Sequence, residues 1–349
     1  MTLVHQVTGV AGPYDAVTGQ LAAYREVLEE MGVAGGVHAA LLAPRTPGKV
    51  EPLERLRAAP DDLVIVHYSG WVAGMRPLLR LAQRTLVVYH NVTPARYFWR
   101  LDPRVAVSCE LGRERLPAFA RAASLAAGVS RYNAEELRRA GAPDPRVVPI
   151  LLDQRQLEPR GGPSRDGTGG PLVLSVGRLA PHKRPDLVIR AFALYQRLHE
   201  SEARLLCVGP PLNPAYLERL ERLVRETGAR GVRLAGGLPQ SELNAALAEA
   251  SAFLSLSEHE GFCIPLLEAL AAGLPVVARP AGGMPDVGGD AVLWTDGAEL
   301  PVVAELLHLA VSDTELRAEL SRRSRAQVER FSHDRVAAEV RAAVEAALG

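Results

Sequence analysis

The sequence predicts an α/β protein built on two doubly wound parallel sheets. Short apolar runs alternate with amphipathic segments of helical period along the 349-residue chain. Runs such as "DLVIVH" and "TLVVYH" are hydrophobic on both faces, which is typical of parallel strands covered by helices on both sides. A chain of this length exceeds what one hydrophobic core usually serves, so we expect two domains.

The first domain, predicted over residues 1–160, begins with a strand at 2–7 and a helix that ends at Gly32. Asp15 or Thr18 is the predicted cap of this helix, and apolar residues recur along it at helical spacing. The apolar face consists of Val17, Leu21, Tyr24, Leu28 and Met31. Further two-sided apolar runs predict strands at 37–43, 62–67, 85–90, 124–130 and 146–152.

A Gly/Pro-rich segment, 161–171, separates the predicted domains. It reads "GGPSRDGTGGP" and can bury little apolar surface, so we interpret it as a linker. The alternation then restarts and predicts a second domain over 172–330, followed by a last helix at about 334–348. The predicted strands lie at 172–177, 203–209, 231–236, 252–257, 275–279 and 291–295, and the predicted helices at 185–200, 214–228, 240–250 and 265–273.

The composition argues against several classes of protein. Forty basic and forty acidic side chains cancel, so a nucleic-acid-binding protein that relies on a broad basic field is not expected. The three cysteines show no CxxC spacing, which argues against a disulfide framework or a structural zinc site. No apolar run reaches the ~18 residues of a membrane span, and the start lacks the features of a signal peptide. We therefore expect a cytoplasmic protein.

Two cations follow the first strand of the second domain. Arg178 comes directly after the strand, and Lys183 precedes Pro185, which suits the first turn of a helix. Two cations beside the free N–H groups of a helix start form an anion site suited to phosphate. Only Lys183 and Lys49 among the forty basic residues are lysines, which favours a functional role for a compact ammonium here. Solvated loop cations are the alternative, and an exposed Lys183 is expected to add little to fold stability.

Two glutamates stand eight positions apart in the segment 257–277. Glu260 lies in a loop after a predicted strand, and Glu268 lies in the first turns of the helix that Pro265 opens. Gly261 lets the backbone approach a ligand closely. Taken alone, Glu260 fits a surface acid, and Glu268 fits a favourable charge near a helix start, worth ~0.5 kcal/mol. A glycosidase pair of acids is a further interpretation.

Three segments together resemble one enzyme family. "EGFCIPLLE" resembles the E-x7-E motif of retaining glycosyltransferases with the GT-B fold, particularly glycosyltransferase family 4, group 1. "VGRLAPHKRPDLVIRAF" resembles the Arg/Lys phosphate-binding segment of that family, and "AAGLPVVARPAGGMPDVGGDAVLW" resembles its Gly-rich segment. They cover most of residues 171–296 in the family's order. The resemblance implies two Rossmann-like domains facing each other across a cleft, with the last helix, 331–349, packed back on the first domain.

The resemblance also implies roles for individual residues. A nucleotide-sugar donor would bind to the second domain, with Glu260 at the donor sugar and Glu268 at the ribose. Backbone N–H groups near Phe262 and Cys263 would help to hold the diphosphate and sugar, and the family often has glycine where Cys263 stands. The expected catalytic residues are Glu260, His90, Arg178 and Lys183. The expected donor-binding residues are Gly177, Arg178, Lys183, Glu260, Gly261, Phe262, Cys263 and Glu268.

In the first domain, "LVVYHNVTPARYF" ends a strand with His90 and resembles an HN-x-TP segment found in part of the family. The resemblance places His90 over the donor sugar. His67 ends another strand and is the second candidate, while a histidine satisfied by the backbone is the alternative interpretation. Gly9 and Gly12 lie in the predicted first strand-to-helix loop, where they would let the backbone approach the donor or the acceptor.

Three polar residues near the starts of strands carry no predicted chemistry. Asp61 and Asp62 precede a strand rather than follow one, so they predict a solvated turn and not a metal site. His5, early in the first strand, is expected to pack.

The pattern predicts a metal-independent, cofactor-free retaining glycosyltransferase that moves a hexose from a nucleotide-diphosphate sugar to an acceptor hydroxyl. The acceptor stays open among a saccharide, a lipid-linked saccharide and a small metabolite, and so does contact with a membrane surface. No nucleic-acid partner is expected. An NDP-sugar epimerase or a pyridoxal-type phosphorylase is an alternative enzyme, although no lysine stands out for a Schiff base. A non-catalytic nucleotide-sugar-binding protein is the alternative from another class.

Overall fold

The computed structural model describes residues 2–13, 15–46, 48–153 and 169–349. These residues form two units. The first contains the described residues up to Asp153 together with Phe331–Gly349, and the second contains residues 169–330. Residues 161–168 of the predicted linker lie outside the described residues. Within the described ranges, no helix combines the length and the apolarity needed to cross a membrane.

One parallel sheet of seven strands supports the first unit. Its strands are β1 (Val4–Ala11), β2 (Ala34–Leu42), β3 (Glu51–Pro52), β4 (Leu63–Tyr68), β5 (Arg84–Tyr89), β6 (Leu125–Gly128) and β7 (Arg146–Val147). They lie in the order β3-β2-β1-β4-β5-β6-β7, and each adjacent pair runs parallel. The helices are α1 (Ala16–Glu30), α2 (Pro103–Ala122) and α3 (Arg131–Arg139). The predicted doubly wound sheet is confirmed.

Helix α1 begins and ends where local chemistry requires it. The carboxylate of Asp15 caps the first turn by accepting a hydrogen bond from the backbone N–H of Thr18 at 2.8 Å. Leu21 and Tyr24 of the predicted apolar face are buried. Gly32 follows the last turn with a φ of +70°, a backbone conformation that glycine adopts without steric cost. Both predicted ends of this helix are therefore confirmed.

The second unit contains a parallel sheet of six strands. These are β8 (Leu172–Val176), β9 (Arg204–Val208), β10 (Val232–Leu234), β11 (Ala252–Ser255), β12 (Val276–Ala278) and β13 (Val292–Trp294). Their order is β10-β9-β8-β11-β12-β13. The helices are α4 (Pro185–Leu198), α5 (Pro214–Thr227), α6 (Gln240–Glu249), α7 (Ile264–Ala271), α8 (Met284–Gly288), α9 (Leu300–Ser312) and α10 (Thr314–Glu329). Each predicted strand and helix of this half is present.

The last helix, α11 (His333–Leu348), belongs to the first unit. It contacts α1 and the strands β5 and β6 of the first sheet. It buries Val336, Val340 and Val344, which recur once per helical turn and so lie on one face. The chain therefore returns to the unit in which it began.

Both sheets reverse their strand order at one place, where two adjacent strands send their following segments in different directions. This place lies between β1 and β4 in the first sheet and between β8 and β11 in the second. Ligands of open α/β sheets bind beyond the carboxyl ends of the strands at such a point. A ligand-binding site is therefore expected at the loops that follow these four strands.

The prediction of a solvated turn at Asp61 and Asp62 is wrong for Asp62. The Asp62 side chain is buried and accepts hydrogen bonds from the backbone N–H groups of Leu3 at 2.8 Å and Ala59 at 2.7 Å. It also bonds to the buried ring of His5 at 3.3 Å. The sequence gives no sign of this because Leu3 and His5 lie at the start of β1, about sixty positions away. Asp62 therefore ties the start of β4 to the start of β1.

We expect Asp62→Ala to destabilise the protein by about 1–3 kcal/mol, because it leaves buried N–H groups without an acceptor. Asp61→Ala is the matched control, since Asp61 is exposed and adjacent in the chain, and we expect a change within about 0.5 kcal/mol. Urea unfolding followed by circular dichroism measures both. Equal stabilities of the two variants would contradict the structural role of Asp62.

Gly282, in the loop after β12, holds the chain against residue 260. Its φ is +55°, and a Cβ added to it would lie 2.0 Å from the carbonyl oxygen of Glu260. The next residue, Gly283, donates its backbone N–H to that same oxygen at 2.9 Å. Only glycine allows both the left-handed backbone and this close approach. The loop after β12 thereby supports the loop after β11.

We expect Gly282→Ala to destabilise the protein more than Gly297→Ala. Gly297 also has a positive φ, +78°, but open space surrounds its added Cβ. Its substitution should cost about 1–2 kcal/mol for the left-handed backbone alone. Gly282→Ala should cost a further ~1–3 kcal/mol for overpacking. Urea unfolding of the two variants tests the difference, and a control variant that is equally or more destabilised would refute the packing argument.

Candidate functional site

The loops after β8 and β11 bring together the acids and cations of the second unit. A short 3-10 turn, Pro181–Lys183, follows β8 and leads through Arg184 into α4. Arg184 has a φ of +51°, and Pro185 begins the helix, as predicted. The loop after β11 carries Glu258 and Glu260 and leads into α7. Because β8 and β11 are neighbours, residues some eighty positions apart in the chain meet at this edge of the sheet.

Lys183 and Glu260 form an ion pair in which the Lys183 Nζ and the Glu260 Oε2 lie 2.5 Å apart. The other carboxylate oxygen of Glu260 accepts a hydrogen bond from the Ser257 hydroxyl at 2.9 Å, and Ser257 contacts Ser255 at 3.2 Å. The side chain of Glu260 is 8% exposed and that of Lys183 is 23% exposed. The expectation that Lys183 is an exposed loop cation is therefore wrong. The buried carboxylate of Glu260 depends on Lys183 for its counter-charge.

The charge of Lys183 is maintained although the side chain is largely enclosed. Burial by itself lowers the pKa of Lys183, but the charge of Glu260 and the hydrogen bond to it outweigh burial and raise the pKa above its ordinary value. Lys183 is thus a permanent cation at neutral pH.

Gly177 and Arg178 follow β8 directly. The side chain of Arg178 is exposed, and the backbone N–H of Gly177 bonds to the Val208 carbonyl at 2.8 Å. Gly177, Arg178 and Lys183 line one small pocket together with Ser255 and Ser257. A fixed cation and an exposed cation therefore border the same recess.

Helix α7 presents an uncapped N-terminus to this loop. No side chain among the described residues caps its first turn, and Cys263 stands at the cap position with a φ of +80°. Glycine adopts this left-handed conformation without steric cost, whereas other residues adopt it rarely. Burial, and then the charge of Glu260, raise the pKa of the Cys263 thiol, which fits a packing role. Phe262 is also buried, Gly261 is half-buried, and Glu268 lies buried on α7.

Several residues of this region were not singled out by the sequence analysis. The carbonyl of His182 accepts the backbone N–H of Glu258 at 2.7 Å, which joins the two loops. Burial, and then the charges of Lys183, His259 and Arg178, lower the pKa of His182 to about 2, so its ring is neutral. The Glu258 carboxylate pairs with Arg184 and with Arg279, the latter at 3.1 Å. The "HKR" tripeptide at 182–184 is the one signal that could have indicated this network.

In the first unit, His90 and His67 lie at the ends of adjacent strands and contact each other. The His67 Nδ1 and the His90 Nε2 are 3.0 Å apart, and the His67 Nε2 lies 3.1 Å from the Oε1 of Gln6 on β1. Burial lowers the pKa of His90 to about 3, and burial followed by the charge of His90 lowers the pKa of His67. Both rings are neutral at physiological pH. The sequence offered the two histidines as separate candidates, and the structure places their rings in hydrogen-bond contact.

Asn91, the second residue of the HN-x-TP segment, fixes the backbone after His90. It has a φ of +88°, and its amide donates to Asn133 at 2.8 Å and to Glu136 at 3.0 Å. Glu136 is in turn paired with Arg113 at 2.7 Å. Asparagine tolerates the left-handed region better than most residues, and this network holds it there.

Gly9 is placed differently from the prediction, whereas Gly12 lies in the predicted loop. Strand β1 continues to Ala11, so Gly9 lies inside a strand and not in a loop. A Cβ on Gly9 would lie 2.8 Å from the sulfur of Met75, which shows that its lack of a side chain serves packing. Gly12 does lie in the loop, where its N–H donates to the Thr18 hydroxyl at 3.0 Å. The loop is shorter than the sequence indicated.

Comparison with known proteins identifies the second half of the chain. Residues 163–327 match the family model described as "Glycosyl transferases group 1". The chain is 32% identical over 309 residues to a D-inositol 3-phosphate glycosyltransferase of Salinispora arenicola, which covers 78% of this chain and 66% of that protein. It is 32% identical over 207 residues to an MMP α-(1→4)-mannosyltransferase of Mycolicibacterium hassiacum, covering 58% and 48%. The matches thus span about half to two thirds of these relatives' own lengths.

Solved structures match the fold over nearly the whole chain. The structure of HepE from Anabaena in complex with UDP and glucose has a TM-score of 0.75 at 17% identity, and the match covers 98% of this chain and 99% of that one. Sucrose-phosphate synthase from Thermosynechococcus elongatus also reaches a TM-score of 0.75, at 18% identity, with 99% and 98% covered. Together with the two parallel-sheet units, these likenesses show that the chain has a GT-B fold, and its second half matches the group 1 glycosyltransferase model.

Proposed function

We propose that this chain is a retaining glycosyltransferase that moves a sugar from a nucleotide-diphosphate sugar to an acceptor hydroxyl without a metal ion or an organic cofactor. The observation that carries the proposal is the grouping of Arg178, Lys183 and Glu260 on the loops after two adjacent strands, β8 and β11, beside the uncapped start of α7. The HepE structure contains UDP and glucose, and the named relatives are glycosyltransferases, which supports this class of donor.

The cations of the second unit suit a diphosphate. Lys183 donates to one carboxylate oxygen of Glu260, and its ammonium has two further N–H groups with which to bind phosphate oxygens. Arg178 supplies an exposed guanidinium, and the start of α7 supplies the positive end of a helix dipole. As the bond between sugar and phosphate breaks, negative charge grows on the leaving diphosphate. Donors already fixed in position stabilise that charge without reorganisation.

The two glutamates have separate roles in this proposal. Glu260, which is paired with Lys183 at the recess, bears on the donor sugar, where a carboxylate stabilises the positive charge that develops at the reacting carbon. Glu268 accepts hydrogen bonds from the ribose hydroxyls. The acceptor hydroxyl attacks on the face that the diphosphate leaves, and a phosphate oxygen takes its proton, so the configuration at the sugar carbon is retained. The family resemblance carries this stereochemistry and the assignment of Glu268.

A panel of UDP-, GDP-, ADP- and dTDP-sugars, tested first by thermal shift and then by donor turnover, examines the function. A bound donor raises the midpoint of unfolding in proportion to its affinity and concentration. Turnover separates an enzyme from a non-catalytic nucleotide-sugar-binding protein, which would show the shift alone. Absence of any shift across the panel would refute the proposal.

We expect Lys183→Ala to lower kcat/KM by about 100-fold, because a preorganised donor to the leaving group is lost. The same change should lower stability by about 1–3 kcal/mol, since it leaves the buried Glu260 carboxylate without its partner. Lys183→Arg should restore activity only in part, because the guanidinium has a different shape. Lys49→Ala is the matched control: Lys49 is exposed, and both activity and stability should stay near those of the parent. Parent-like turnover in folded Lys183→Ala would remove the phosphate role.

Replacement of the two glutamates by glutamine should affect different properties, nucleotide affinity for one and sugar transfer for the other. Glu268→Gln should weaken binding of the bare nucleotide diphosphate by roughly tenfold, because a hydrogen bond to a charged group is worth ~1.5–3 kcal/mol. Glu260→Gln should depress transfer but leave nucleotide affinity equal or tighter, since it removes a negative charge beside Lys183. Calorimetric titration with the nucleotide diphosphate measures both. Weaker nucleotide binding in Glu260→Gln would overturn the division of roles.

A further inference from the structure

The side chains of Gln6, His67 and His90 form a directed chain of hydrogen bonds in the first unit. Gln6 lies on β1, His67 on β4 and His90 directly after β5, so three adjacent strands contribute one residue each. Gln6 and His67 are almost completely buried. The two imidazole rings lie edge to edge, with centroids 5.3 Å apart and planes 25° apart. A network enclosed in this way has few alternative arrangements.

The donor and the acceptor of each hydrogen bond in this network follow from its buried end, at Gln6. The Nε2 of Gln6 lies 3.0 Å from the backbone carbonyl of Leu21, which can only accept. The amide oxygen of Gln6 therefore faces His67, and it too can only accept. The Nε2 of His67 must carry the proton and donate across the 3.1 Å contact. In a neutral ring, the Nδ1 of His67 is then a lone pair.

The same reasoning determines which ring nitrogen of His90 carries the proton. The Nδ1 of His67 accepts, so the Nε2 of His90 must carry the proton and donate across the 3.0 Å contact. The Nδ1 of His90 is left as a lone pair. That atom is buried, and it has no hydrogen-bond partner among the described residues. Burial lowers the pKa of His90 to about 3, which keeps the ring neutral at physiological pH.

We propose that Gln6 and His67 are positioning residues that hold His90 in the tautomer with a free Nδ1, so that His90 accepts a hydrogen bond from a ligand hydroxyl. This inference rests on the proposed function for the identity of that ligand, a sugar that carries the hydroxyl. His90 is neither a cation for the diphosphate nor a proton donor to it. An uncharged acceptor selects for a hydroxyl and against a phosphate oxygen, which offers no proton at neutral pH.

The first test is spectroscopic and needs no donor. In the full-length protein with 15N-labelled histidine, NMR at neutral pH should show the Nδ1 of His90 unprotonated and the Nε2 protonated, and the same pattern for His67. Gln6→Leu removes the acceptor that sets the direction, so both tautomers of His90 should then be populated. A protonated Nδ1 in the parent protein would overturn the inference, and so would an unchanged tautomer in Gln6→Leu.

The second test is kinetic and uses a matched pair of variants at the middle position. His67→Leu removes the acceptor for His90, whereas His67→Asn keeps an oxygen near the place of the Nδ1. With the donor found by the panel, His67→Leu should lose about tenfold in kcat, the value of one hydrogen bond. His67→Asn should lose several-fold less. Affinity for the bare nucleotide diphosphate should be the same in both, because the nucleotide-binding residues lie in the other unit. Equal losses in the two variants would overturn the positioning role.

If His67→Leu does not fold, Gln6→Leu takes its place in the kinetic comparison, with the same expected loss. The two tests separate the failure of this inference from the failure of the proposed function. The tautomer is read in the unliganded protein, and it supports or overturns the relay whether or not any nucleotide sugar is turned over. Lack of turnover across the donor panel counts against the glycosyltransferase proposal alone.

Discussion

The ion pair between Lys183 and Glu260 is the interaction on which the candidate site depends. It joins the loops after β8 and β11, the two strands at which the second sheet reverses its order. Burying a carboxylate costs free energy unless a counter-charge and hydrogen bonds accompany it, and Lys183 and Ser257 supply them. The cation is thereby fixed before a phosphate arrives. Two residues that follow β12 also contact the loop after β11. Gly282 packs against the carbonyl of Glu260, and Arg279 pairs with Glu258.

The two units show the same topology but different electrostatics at the carboxyl ends of their strands. The second unit gathers formal charges there: Lys183, Arg184, Glu258 and Glu260 are all paired within a few ångströms. At the ends of β4 and β5 the first unit places two neutral rings, because burial keeps His67 and His90 uncharged, and the Glu136–Arg113 ion pair there bonds to Asn91. A charged edge suits a diphosphate, and a neutral edge of hydrogen-bonding groups suits hydroxyls. The charged edge of the second unit matches the proposed binding of the leaving diphosphate.

Three of the five non-glycine residues that adopt the left-handed backbone region, counted over the described residues, stand at the candidate sites. Asn91, Arg184 and Cys263 each stand directly after or before a residue of the candidate sites. Such a conformation costs of order 1–3 kcal/mol and persists only where the surroundings hold it. The side chains of Asn91 and Arg184 are held by hydrogen bonds and ion pairs, and Cys263 is buried. Local strain at these points turns the chain from a strand end into a loop or a helix start.

The sequence by itself determined most of the strands, helix α1, the helices of the second unit and the residue types at the strand ends, because hydrophobic period, capping residues and glycines act over a few positions of the chain. It located Lys183, Glu260, Glu268 and His90 on segments that the structure places at strand ends or helix starts. Only the tertiary structure decided which of these residues meet. The pairing of Lys183 with Glu260, the burial of Asp62 against β1, and the contact of His67 with His90 each depend on strands that are adjacent in a sheet but distant in the sequence. Strand order is set by packing over the whole sheet, so no local pattern contains it.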